Sequence, residues 1–238
     1  MSNHMKRLAS PRSWKINKKT STWVPKPAPG KHSAERSIPL GLVLRDYLRL
    51  VDTMTEAKRV LGNREVLVDG RVETSHKTPV GLMDIVSVPK VQKQYRVVLD
   101  HHGRVALSEI GANDAGWKFC RIENKTTISG GRIQLNLHDG RNVIVKETKY
   151  KTGDVVKLAL PTQEIKAHYP FGKGMTVLVT GGAHVGEFAK VDGEETIRSP
   201  RPNLVSLKSG EQPYSTVKPY VFIVGKDRPE IALPEVNA

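Results

Sequence analysis

Residues 177–186 read VLVTGGAHVG, and the reading of this stretch decides the fold. An apolar run leads straight into a glycine-rich turn. A dinucleotide-binding unit starts the same way: a strand, a tight glycine turn, then a helix whose amides hold a pyrophosphate. Such a unit needs its helix directly after the glycines, inside a strand–helix–strand of roughly 30 residues. Here the chain continues EFAKVDGEETIRSPRPNLVSLK. Residues 189–191 read as a short strand, Asp192-Gly193 as a turn, and Pro200 and Pro202 close off any later helix. No room is left for the phosphate-holding helix, so no nucleotide cofactor is expected. The remaining possibility is strand–loop–strand, in which Gly182 and Gly186 supply positive φ and close backbone approach.

Composition points away from one large core. The 238 residues are 38% hydrophobic and only 5% aromatic, which suits several small modules joined end to end. No apolar run is long enough to span a membrane, and MSNHMKRLASPRSWK lacks the apolar centre of an export signal. The single cysteine, Cys120, cannot form an internal disulfide or a cysteine-based zinc site. In WKFCRIEN it reads as a small core residue.

Charge is more informative. The net charge of +14 implies a polyanionic partner. Residues 1–40 hold nine Lys and Arg against one acid, so more than half the excess lies in the first sixth of the chain. This arm carries five prolines and no sustained apolar period, which argues against an independent fold. Trp14 and Trp23 are interleaved with Lys15, Lys18, Lys19 and Lys26. Indoles beside cations suit a segment that orders on nucleic acid, where rings stack and ammonium groups meet phosphates. A solvated basic tail is the alternative. Lys6, Arg7, Arg12, Trp14, Lys18, Lys19, Lys26, Lys31 and His32 are the candidate contacts, and residues 1–35 are expected to order only on RNA.

Beyond the arm, Leu40, Val43, Leu44, Tyr47, Leu48 and Val51 fall at helical spacing. TMTEAKRVLG reads as a second helix, with Thr53 and Glu56 as a capping box and Gly62 as its stop. EVLVDGRVET alternates around Asp69-Gly70, a hairpin signal, and DIVSVP adds a strand. Residues 93–160 are strand and turn throughout: QYRVVLDHHGRVALSEI, RIQLNLHDGRNVIV with Asp139-Gly140 at its turn, and DVVKLAL. His101-His102 is a polar loop rather than a metal pair, because adjacent strand residues face opposite ways and no third ligand is evident. The chain carries no H-E-x-x-H, G-x-S-x-G or G-x-x-x-x-G-K-[ST], and its acids are scattered.

Two stretches resemble known modules. RDYLRLVDTMTEAKRVLGNREVLVDGRVETSHKTPVGLMDIVSV is similar to the small RNA-binding module named after ribosomal protein S-four, with its elements in the right order. That resemblance implies that the helical pair faces structured RNA, with Arg45, Lys58, Arg59, Arg64 and Lys77 at contact positions. Lys58 and Arg59 stand out because they are adjacent on the capped helix. Gly174, Val177, Val179, Gly182, Gly186 and Val191 form a pattern that resembles the KOW motif of small SH3-like barrels, with Lys173 and His184 as further RNA-contact candidates. Ala189 stands where such motifs commonly have glycine.

The order of parts, with KRLASPRSW, GKHSAERSIPL and KTGDVV, resembles the archaeal and eukaryotic small-subunit ribosomal protein S-four-e family over nearly the whole chain. The ending IALPEVNA leans toward an archaeal form. The expected fold is α+β and multi-modular: a basic arm over residues 1–40, an S-four-type module over 41–92, a β-rich domain over 93–170, and a KOW barrel with its tail over 171–238. The resemblance implies a cytoplasmic structural protein that binds small-subunit rRNA and neighbouring ribosomal proteins, without cofactor, metal, membrane or homo-oligomer. The other class to weigh is an RNA-modifying or translation-associated enzyme, since S-four-type modules also accompany catalytic domains. A KOW-bearing transcription factor is disfavoured by the arm and the S-four-type module.

Overall fold

Runs of β-branched residues separated by Asp-Gly and Gly-Gly turns become short strands in the computed structural model, which describes residues 4–146, 149–210 and 212–233. The end of the IALPEVNA tail, residues 234–238, lies outside the described residues. The chain is mostly β, with few helices and several antiparallel sheets including a half-barrel. Its helical share is smaller than the α+β expectation, because apolar spacing of helical period is confined to residues 40–62. Contacts divide the chain into two compact units.

The first unit comprises the chain up to Val98 together with Arg104–Lys118 and Leu160–Thr162. Here the expectation of an arm without fold is corrected. Met5–Lys6 pairs with Trp23–Val24, and Trp14 is only 3% exposed, in a core with Val24, Ile38, Leu40, Leu42 and Leu44. The Trp14 indole Nε1–H donates to Ser37 O at 2.7 Å. The arm has too little apolar surface for a core of its own, so it lends Trp14 and Val24 to a shared one.

Ser37–Pro39 pairs with Pro79–Gly81. The helix then starts at Leu40, but it turns π over Val43–Tyr47 and does not reach Val51. Leu48 N donates to Val43 O at 2.9 Å, and Arg49 leaves the helix at φ 51°. Helical spacing alone could not show that wide last turn.

Helix Met54–Gly62 has the expected capping box: Thr53 Oγ1 accepts from Glu56 N, and the Glu56 carboxylate accepts from Thr53 N. Ala57 and Leu61 face the core. The left-handed residue after the helix is Arg64, at φ 60°. Leu67–Val68 and Arg71–Val72 form the expected hairpin, with Asp69 and Gly70 both at positive φ. A five-stranded sheet orders Arg71–Val72, Leu67–Val68, Ile85–Val88, Lys93–Leu99 and Val105–Ile110. Lys118 is buried within this unit, its Nζ 2.9 Å from both Asp69 Oδ2 and Asp84 Oδ1.

The second unit comprises Leu99–Gly103, Phe119–Ala159 and the chain from Gln163. One sheet orders Asn142–Val145, Arg132–Leu137, Trp117–Ile128, Val155–Ala159 and Ile165–Tyr169. Cys120 is fully buried there beside Ile122, Leu135 and Leu158, a core residue as expected.

The other sheet orders Gln212–Val217, Leu204–Ser209, Phe188–Glu195, Thr176–Val179 and Val221–Gly225. The glycine stretch joins Thr176–Val179 to Phe188–Glu195, so its second neighbour in the chain is a strand and not a helix. Asp192-Gly193 is not a turn: the strand runs through it with a register shift between Val191 and Gly193. That shift is a bulge, and the Asp192 carboxylate there pairs with Lys173 and Lys208.

Candidate nucleic-acid interface

The capped helix determines which cations reach solvent. With Ala57 and Leu61 inward, Lys58 and Arg59 are exposed on its outer side. Neither is in an ion pair among the described residues. Arg64, at the left-handed residue beyond the helix, is exposed as well, and so are Arg12, Lys18 and Lys19 in the arm. Lys6 is exposed and sits over the Trp23 ring, 4.1 Å from its centroid, while Trp23 itself is 53% exposed. Of the arm's two indoles, therefore, Trp23 is the one available to a base.

Other expected contacts are used inside the fold. Trp14 is a core residue with its N–H committed, so its ring cannot stack on a base. Arg7 is buried, and its guanidinium donates to Asn17 O at 2.8 Å, to Ile16 O and to Ser10 Oγ. His32 is buried with Nε2 2.9 Å from Asp84 Oδ2. In this structure the three side chains are engaged by the fold and have a structural role: Trp14 with Ser37, Arg7 with residues 10, 16 and 17, and His32 with Asp84.

Lys31 pairs with Glu73 at 2.8 Å, and Arg45 with Asp46 at 2.9 Å. Lys26 and Lys77 are half-buried. Arg104 was not among the expected contacts, yet it shares a cleft with Arg12, Lys15 and Lys18. It lies far along the chain, so no local signal could have found it.

In the second unit the glycine loop is fixed by backbone geometry. Gly174, Gly182 and Gly186 have φ of 86°, 93° and 82°. A side chain at Gly186 would begin 2.3 Å from Asp100 O. His184 stacks on Tyr214, with ring centroids 4.0 Å apart, and its Nδ1 is 3.3 Å from a Glu187 carboxylate oxygen. Lys173 is exposed and 3.2 Å from Asp192.

Burial by itself would raise the Asp84 carboxyl, but the charges of His32 and Lys118 and their hydrogen bonds outweigh it. The group is held well below the ordinary carboxylate range. This is a structural network rather than an acid–base pair poised near neutrality. Cys120, His138 and Asp139 bring donor atoms within 4.8 Å of one another. Asp139 is already paired with Arg141 at 3.3 Å, however, and His138 Nδ1 accepts from Arg121 N. Among the described residues no helix is long and apolar enough to cross a membrane.

The chain is mostly β and strongly cationic, and it exposes lysines and arginines on its arm, on the short capped helix and on both units. It is 47% identical, over 97% of its length and 96% of the relative's, to the small ribosomal subunit protein eS4 of Methanothermobacter thermautotrophicus. The corresponding protein of Methanocaldococcus jannaschii is 46% identical over 97% of both chains. The chain belongs to the eS4 family of small-subunit ribosomal proteins, and it is a structural protein rather than an enzyme.

Residues 91–165 match the family described as ribosomal family S4e, and residues 1–35 match the RS4NT domain. The crystal structure of the 30S ribosomal protein S4e from Thermoplasma acidophilum is similar at a TM-score of 0.71 and 32% identity. It covers 80% of this chain and 96% of that one.

Proposed function

We propose that, within the small ribosomal subunit, this protein binds rRNA directly, chiefly through the exposed cations of its first unit. The observation that carries this is the adjacent pair Lys58 and Arg59, exposed on the capped helix and outside any ion pair among the described residues. Two exposed cations that no ion pair among the described residues engages have charge available for phosphates, and each phosphate they neutralise releases counterions. Lys6, Arg12, Lys18, Lys19 and Arg64 extend this set. Lys26, Lys31, Arg45 and Lys77 are partly engaged inside the protein and contribute less.

Four parts divide the work: the arm over 1–40, an S-four-type module over 41–92, a β-rich domain over 93–170, and a KOW-type SH3-like barrel over 171–238. The five-stranded antiparallel sheet around the glycine loop supports the last assignment. There Gly174, Gly182 and Gly186 shape the loop, and Lys173 and His184 stand near it as contacts to rRNA. Neighbouring ribosomal proteins take the remaining surface. The protein acts as a single copy and holds no nucleotide.

Sucrose-gradient fractionation tests this reading. Co-sedimentation with small subunits that survives a high-salt wash, and is weakened by Lys58→Ala/Arg59→Ala, is the expected result. A wild-type protein that does not bind small-subunit rRNA even at low salt would contradict direct rRNA binding.

A further inference from the structure

The folded arm encloses a cleft of about 690 Å³ lined by Arg7, Arg12, Lys15, Lys18 and Arg104, with no carboxylate in its wall. Arg104 comes from the strand-joining segment beyond His101-His102, so the cleft exists only because the arm is docked. Arg7 builds it. The buried guanidinium ties residues near 7–10 to residues 16 and 17 through two backbone carbonyls and the Ser10 hydroxyl. These acceptors are all neutral, so they fix the side chain without cancelling its charge. Five cationic side chains thus line one space, which favours an anion that enters it.

We infer that this cleft seats the phosphodiester backbone of one RNA strand. Arg12, Lys15, Lys18 and Arg104 supply the phosphate contacts, and Arg7 holds the walls apart. The inference rests on the proposed rRNA binding and deepens it. Backbone rather than base recognition follows from the lining: Trp14 is the one aromatic residue there, and its ring belongs to the core. Contacts of this kind position an RNA without reading its sequence.

The test uses the full chain and a transcript of the small-subunit rRNA. Arg12→Gln/Lys18→Gln changes two exposed residues and leaves the Arg7 clamp intact. At about 0.7 counterion per single-strand phosphate contact, losing two contacts lowers affinity roughly 25-fold at ~0.1 M salt and the salt slope by about 1.4. In the wild-type complex, Lys15 and Lys18 become protected from acetylation. Wild-type affinity and slope in the variant, or equal acetylation of both lysines with and without rRNA, would overturn the inference. If Lys58→Ala/Arg59→Ala still reduced the slope in that case, the rRNA reading would stand and the cleft alone would fall. A wild-type protein that does not bind the transcript would sink both. Equal protection by polyglutamate at the same charge concentration would reassign the cleft to an acidic protein segment.

Discussion

Replacing Lys118 by Met removes the cation shared by two buried carboxylates. In the native protein the Lys118 Nζ lies 2.9 Å from Asp69 Oδ2 and from Asp84 Oδ1, and all three side chains are essentially inaccessible to water. Asp84 keeps support after the change, because His32 Nε2 lies 2.9 Å away and Gly81 N donates at 3.0 Å. Asp69 keeps the Ile85 amide at 3.0 Å. Both carboxylates lose the one buried lysine they share. Removing one partner of a buried ion pair costs about 3–5 kcal/mol, most of it the penalty of a charge left in low dielectric. For a chain of this size each kcal/mol moves Tm by about 2–4 °C, so the expected loss is roughly 6–20 °C.

Thermal unfolding followed by tryptophan fluorescence measures it. Adding Asp69→Asn to Lys118→Met removes one of the two buried negative charges and recovers part of the loss. A Lys118→Met protein within ~1 kcal/mol of wild type would refute the reasoning, since it would mean that Asp69 and Asp84 are not held as buried anions. The pH dependence has a fixed sign. A carboxyl whose folded value is depressed stabilises the protein above its unfolded value near ~3.9, and that stability is lost as pH falls through the folded value. Lys118→Met weakens the depression, so acid unfolding should move to higher pH.

Gly186→Val combines a φ of 82° with a first side-chain atom 2.3 Å from Asp100 O. It should cost at least the roughly 1–3 kcal/mol of a strained residue, read as a lowered Tm of the full chain; an unchanged Tm would show that the loop does not lie against Asp100. Trp14→Phe deletes the 2.7 Å hydrogen bond to Ser37 O and should destabilise by about 1–3 kcal/mol in chemical denaturation. In the RNA-free protein the Trp14 indole N–H should resonate away from its random-coil position, and coincidence with it would contradict the docked arm. Calorimetric titration with NAD, NADP, ATP or GTP should show no saturable binding, because the glycine loop leads into a strand.

Local chemistry was the part of this molecule most legible in the sequence. Thr53 and Glu56 announced a helix start, and Asp69-Gly70 and Asp139-Gly140 announced hairpins, because each motif works through neighbours in the chain. The glycine loop was readable for the same reason: the residues just beyond Gly186 have strand-like character, and they form a strand. Long-range burial was not legible. Trp14, Arg7 and His32 looked like nucleic-acid contacts because they lie in a cationic, proline-rich arm. Their partners, Ser37, the carbonyls of residues 16 and 17, and Asp84, become neighbours only once the arm folds back. Asp192-Gly193 misled in the opposite sense. A dipeptide that favours turns was absorbed as a bulge, with Lys173 and Lys208 on either side of its carboxylate. Arg104 carried no local sign of belonging to the arm's cleft.

The salt dependence of rRNA binding by Lys58→Ala/Arg59→Ala, compared with wild type, tests most directly whether exposed cations on the capped helix meet RNA phosphates. Both side chains point away from the core, so the fold and Tm should stay the same. The slope of log K against log salt should fall by between about 1.4 and 1.8, one counterion-releasing contact for each residue removed. A double variant with the affinity and slope of the wild type would contradict the proposal that this helix faces the rRNA.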